Sequence, residues 1–206
     1  MELVEKGIQN LFKEIERREE NPDDMMYSYL VKAEANIKSW MNLELASQID
    51  TIIENNPEYS GFSVYPRQKI NAKKFDMIIY SQMGIRYVLE MKSIVNWMSP
   101  YEQLDRVISD IDRLIELEVP KGCEKIIILM TAFAKPKKDN LKKYFLRWMD
   151  RELGSNDYGI DKELFYKKIT ERLKIIRRIH LLNLPSIEIK NDIFESLILQ
   201  PFYSNI

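Results

Sequence analysis

FDMIIYSQMGIRYVLEMKS, residues 75–93, holds two apolar stretches on either side of a turn that contains Gly84. Asp76, Glu90 and Lys92 interrupt the apolar pattern. A buried charge costs several kcal/mol unless something pairs with it, so these three residues need a reason. A turn centred on Met83, with Gly84 free to take a positive φ, gives strands at about 75–80 and 86–92. It pairs 80 with 86, 78 with 88 and 76 with 90. Alternation then puts Phe75, Met77, Ile79, Tyr87, Leu89 and Met91 on one wholly apolar face. The other face carries Asp76, Ile78, Tyr80, Arg86, Val88, Glu90 and Lys92.

In this register Asp76 lies directly opposite Glu90, and like charges so placed repel. A divalent cation between them turns the repulsion into binding energy. Lys92, two residues past Glu90 on the same side, is placed to hold or activate a metal-bound water. Such a metal lowers the pKa of the water and polarises a phosphoryl oxygen, which suits hydrolysis of a phosphodiester. The competing interpretation is a three-charge network on the solvated end of the hairpin.

Outward from the hairpin, the elements alternate in type. Residues 2–19 carry Leu3, Ile8, Leu11, Phe12 and Ile15 at helical spacing under a charged outer face. Residues 25–55 predict a second helix, with a break near Ser39 or Asn42 and a stripe through Met41, Leu45, Ile49 and Ile52 or Ile53. GFSVYP is expected as the first strand, stopped by Pro66. After the hairpin, SPYEQLDRVISDIDRLIELE predicts a helix capped by Ser99, with Pro100 at its first position. Its expected buried face is Leu104, Val107, Ile108, Ile111, Leu114 and Ile115. CEKIIILMTAF is a continuous apolar run and predicts an inner strand covered on both sides. DNLKKYFLRWMDREL and DKELFYKKITERL predict further helices, and KIIRRIHLLNL another strand. The last twenty residues give no clear pattern. The order predicts an α/β fold, a mixed central sheet flanked by helices.

Composition bounds the chemistry. The 206 residues carry a formal net charge of -1 and are 45% hydrophobic, enough for one domain with a real core. The single Cys123 excludes an internal disulfide framework and a cysteine zinc cluster. The single His180 excludes a histidine-rich metal site and suits a strand histidine better than a general base. A catalytic metal therefore needs oxygen ligands, which favour magnesium or manganese. No membrane span and no signal peptide are read, and a cytoplasmic location is expected.

Asp76, thirteen residues, then Glu90-Met91-Lys92 resembles the signature of the PD-(D/E)XK nuclease superfamily: an Asp on one strand and Glu-X-Lys on the next. Phe75 stands where the family usually has Pro. The resemblance covers about residues 40–132 and implies a restriction-endonuclease-like fold. The expected division is an N-terminal helical extension at 1–40, a nuclease core at 41–132, and C-terminal helices and a strand at 133–206. It also implies magnesium-dependent hydrolysis of DNA, with manganese as a substitute, through Asp76, Glu90 and Lys92, the metal held by Asp76 and Glu90. The family often adds an acid from the helix before the first strand; Glu44 is the first candidate and Glu34 the rival. Some members place a Gln in the helix after Glu-X-Lys, which points to Gln103 as a nucleic-acid contact. Ser93 is expected to end the strand.

Between Thr131 and Leu182 fourteen Lys and Arg face seven Asp and Glu. Lys135, Lys137 and Lys138 lie in the densest cluster and are expected to neutralise DNA phosphates, as is Lys74 beside Asp76. The N-terminal helices are expected to offer a homodimer surface. The alternative function is a nuclease-like module, without turnover or dependent on a partner, that binds nucleic acid or protein in a defence or repair complex.

Overall fold

The computed structural model describes residues 1–21, 37–95, 100–137, 167, 170–171, 173–174, 182–192 and 194–206. Three α-helices and a mixed sheet organise them. Helix α1 is Glu2–Glu19, α2 is Ile37–Asn55 and α3 is Pro100–Ile115. The strands are β1 Ser63–Pro66, β2 Lys69–Ile70, β3 Lys73–Lys74, β4 Met77–Ser81, β5 Gly84–Val95, β6 Glu124–Pro136, β7 Leu182–Asn183, β8 Ile187–Ile189 and β9 Phe194–Asn205. The main sheet runs β1-β4-β5-β6-β9, with β7 and β8 sharing the outer edge of β9. Among the described residues only β5 and β6 pair in parallel, with α3 between them in sequence. The fold is therefore mixed α/β.

The hairpin register is as expected through its middle. Ile78 pairs with Val88. A bulge between Ile79 and Tyr80 then shifts the ladder, so Tyr80 meets Ile85 instead of residue 86. The turn is Gln82-Met83 between the paired Ser81 and Gly84, with Gly84 at φ 106°. Strand β5 continues to Val95, so Ser93 does not end it.

Both sheet faces are buried. Helices α1 and α2 cover Met77, Ile79, Tyr87, Leu89, Met91, Ile126 and Ile128. Helix α3 covers Val88, Ile94, Ile127 and Leu129 with Val107, Ile111 and Leu114. Leu173, from the helical residues near 170, joins this second core. The alternation of Ile126–Leu129 between the two cores is that of an inner strand. The apolar stripe of α1 (Leu3, Ile8, Leu11, Phe12, Ile15) is spent inside the chain, so α1 is part of the main core and not an appendage to it.

Several expectations are corrected. Phe75 lies in the α3-side core, not with Met77 and Ile79. It precedes β4, and its N–H bonds Gln68 O at 2.8 Å, so strand alternation does not govern it. Helix α2 is continuous past Ser39 and Asn42. Helix α3 stops at Ile115, which is exposed. Lys174 is helical, and the strand expected at 174–184 is only Leu182–Asn183 among the described residues. The final segment forms β9, paired with β6 along its whole length. Residues 25–36, the Ser99 cap, Lys138, all of 139–166 and His180 lie outside the described residues.

Gln103 ties α3 to the end of β5. Its Oε1 accepts from Val95 N at 2.9 Å and its Nε2 donates to Val95 O at 3.0 Å, all buried. Replacing it with alanine should leave these two backbone groups without that partner and cost about 2–3 kcal/mol, read from urea unfolding. A loss below about 0.5 kcal/mol would mean that water reaches them.

Candidate active site

The hairpin's charged end and the helix above it enclose a polar cavity of about 340 Å³. Strand alternation on the α3 side runs Val88, Glu90, Lys92, Ile94, so two charges break an apolar row. Helix α3 meets them in kind. Asp110 and Arg113 share the face of Val107, Ile111 and Leu114, because residues three and four apart lie together on a helix.

Asp76 sits just before β4, where its Oδ2 accepts from Met91 N at 2.8 Å. That bond fixes the carboxylate against β5 beside Glu90. The chain from Arg67 to Phe75 leaves the sheet as a small excursion. It is closed by Arg67 N donating to Asp76 O at 2.8 Å and turned by Asn71 and Ala72 at φ 48° and 63°. This brings Arg67 and Lys74 to the cavity wall. From the first turn of α2 come Lys38 and, one turn on, Asn42.

The ion pairs are dense. Lys38 Nζ lies 2.7 Å from Asp76 Oδ2 and 3.6 Å from Glu90 Oε1. Arg113 Nη2 lies 2.8 Å from Glu90 Oε1 and 3.2 Å from Asp110 Oδ1, with its guanidinium over the Phe75 ring. Lys92 Nζ is paired with Asp110 Oδ2 and stands 3.8 Å from Glu90 Oε1. Three cations thus crowd Oε1 of Glu90. Its other oxygen, Oε2, is buried without a hydrogen-bond partner among the described residues, as are Asn42 Oδ1 and Arg113 Nε. Unpaired buried polar atoms are rare in native proteins, and three of them meet at this one cavity.

Glu90 is only 3% exposed. Burial first, and the nearby Asp76 charge second, push its pKa up to about 7 against the pull of Lys38 and Arg113. Burial works against the Lys38 charge. The hydrogen bond to Asp76 and the fields of Asp76, Glu90 and Asp110 outweigh it, and the Lys38 pKa lies above its ordinary value.

Asp76, Glu90, Lys92 and Lys74 therefore come together at the cavity. Glu44 does not join them: it faces Arg18 at 3.5 Å and Gln48 at 3.3 Å on the α1 side of its helix. Glu34 lies outside the described residues. Gln103 is spent on Val95 and does not line the cavity. Lys135 pairs with Glu195 at 2.5 Å and Lys137 with Asp192 at 3.9 Å. Lys135 is six residues along β6 from Leu129, the partner of Lys92, which is about 20 Å at the usual strand rise. Sequence reasoning missed Lys38, Asn42, Asp110 and Arg113. The signal for Asp110 was present: it is a charged residue on the apolar side of an amphipathic helix that directly follows Glu-X-Lys.

The donors suit a hard cation. Among the described residues no three His, Cys, Asp or Glu side chains form a metal cluster. Magnesium, however, keeps several waters and takes only one or two carboxylates. Asp76 and Glu90 are the two carboxylates that could take that role, and Glu90 Oε2 is the oxygen left without a partner. Among the described residues no helix is long and apolar enough to cross a membrane. Comparison with protein-family models, with curated proteins and with solved structures finds no match.

Proposed function

We propose that this protein is a magnesium-dependent nuclease that hydrolyses phosphodiester bonds of DNA, built on a restriction-endonuclease-like core of α2, β1, the β4–β5 hairpin, α3 and β6. One observation carries the reading. Asp76, Glu90 and Lys92 line a single cavity, and the Glu90 oxygen Oε2 is buried there without a partner. Asp76 and Glu90 would hold magnesium or manganese, which supplies Lewis-acid polarisation and an acidified water when bound.

The chain's own residues do the rest. Five cations (Lys38, Arg67, Lys74, Lys92, Arg113) line the cavity against three carboxylates (Asp76, Glu90, Asp110), a positive excess that attracts a phosphate. Arg67 and Lys74 make no ion pair among the described residues and remain available to backbone oxygens beside the bond to be cut. Asp110 holds Lys92 pointing at the Glu90 side of the cavity, where its ammonium faces the charge that develops on the phosphoryl oxygens. Arg113, over the Phe75 ring, holds Glu90 Oε1 at 2.8 Å. A module without turnover is the rival, and one observation favours it: the Lys38 ammonium already lies within ion-pair distance of both carboxylates.

The test is cleavage of supercoiled plasmid and of single-stranded DNA with magnesium or manganese, beside Lys92→Ala. Metal-dependent cleavage that falls about a hundredfold or more in the variant is expected. Equal cleavage by both proteins would come from a contaminant. No cleavage together with no manganese binding in calorimetry would leave the rival.

A further inference from the structure

Lys38 stands between two carboxylates of the cavity. Its Nζ is the one described cation in contact with both Asp76 and Glu90, at 2.7 Å and 3.6 Å. Asp76 does not need it for position, since Met91 N holds the same Oδ2 at 2.8 Å. Glu90 does not need it either, since Arg113 holds Oε1 at 2.8 Å. What Lys38 supplies is charge between two carboxylates that otherwise repel. A lysine suits this task because its ammonium is a compact charge on a flexible stem, able to leave without moving its helix.

We propose that Lys38 is a tethered counter-cation that competes with the divalent metal for Asp76 and Glu90. The proposal rests on the nuclease reading of the site. In the metal-free protein the ammonium suppresses the carboxylate repulsion. When the metal binds, the ammonium is displaced into the same cavity, toward the space a phosphate would fill. Lys38 therefore weakens metal affinity, and its displaced charge adds to the attraction for a phosphate once the metal is bound.

The test is manganese binding by calorimetry on the full chain, comparing wild type, Lys38→Met and Glu90→Gln. Lys38→Met should bind manganese about ten- to a hundredfold more tightly, the worth of one charge-assisted hydrogen bond. Glu90→Gln should abolish the binding. Unchanged or weaker affinity in Lys38→Met, with Glu90→Gln still abolishing binding, overturns the competition and leaves the metal site standing. No manganese binding by wild type and by Lys38→Met overturns both. Lys38→Gln is the second variant should the methionine disturb folding. A crystal structure of the wild type grown with manganese decides without any variant. Lys38 Nζ withdrawn from Asp76 supports the exchange, and Nζ still bonded to Asp76 beside a bound metal ends it.

Discussion

Glu90→Gln should abolish DNA cleavage and at the same time make the metal-free protein more stable at pH 8. The first effect follows from losing one of the two carboxylates available to the metal; a loss of about a thousandfold or more in rate is expected. The second follows from the pKa. The Glu90 carboxyl is raised from 4.5 to about 7 by burial and by Asp76. The folded state therefore binds a proton between about pH 4.5 and 7 that the unfolded chain releases. More protons on the folded state means that stability falls as pH rises through this window. Above it, the buried charge costs on the order of 3 kcal/mol, the equivalent of the shift. Glutamine has the shape of the protonated acid and never pays this penalty. The gain from the substitution should be near zero at pH 4.5 and grow to a thermal midpoint roughly 5–10 °C higher at pH 8. A variant that is less stable than wild type at pH 8 would mean that the pairs with Lys38 and Arg113 outweigh burial, contrary to the direction given.

Phe75→Ala should produce the largest loss of stability at any single site residue, about 3–5 kcal/mol in urea unfolding. Phe75 is 1% exposed, packs in the α3-side core and carries Arg113 on its ring. Removing it opens a cavity beneath Arg113 and frees the guanidinium that holds Glu90. Phe75→Leu keeps most of the apolar volume and should cost about 1–2 kcal/mol while still loosening Arg113. Cleavage by the leucine variant should then drop more than its stability explains. Full activity with Phe75→Leu would show that Arg113 is held by Glu90 and Asp110 alone.

The residues that were legible in the sequence are those whose environment is set by near neighbours. Ile78 opposite Val88 was expected from a turn centred on Met83; the chain reaches it by a two-residue turn and a compensating bulge after Ile79, so only the alternation was legible. Glu90 and Lys92 share a face because a strand has a period of two. The face of Phe75 was not legible, because its backbone bonds to Gln68 and leaves the ladder one residue before β4 begins. The bulge after Ile79 has no signature in the side chains around it. Lys38 reaches the site from 38 residues before Asp76, and nothing in the helix that bears it predicts that reach. Glu44 was named from the family resemblance, with Glu34 as its rival, yet helix periodicity turns Glu44 toward Arg18. Asp110 and Arg113 were readable as charges on an apolar helix face. Strand β9 contains Pro201, a residue that ordinarily argues against a strand with neighbours on both sides.

The pairing of β6 with β9 sets an order for assembly. Thr131 Oγ1 donates to Gln200 O across 69 residues of chain, and β6 from Ile126 to Ala132 depends on that late segment for its second neighbour. During synthesis the hairpin, α3 and β6 emerge first. Until Phe194–Asn205 has been made, Ile126–Leu129 is an open apolar edge, able to pair with the same edge of another nascent chain. The half of the molecule that carries the candidate site is thus complete in sequence long before it is safe from its own kind, and the last strand is what makes it so.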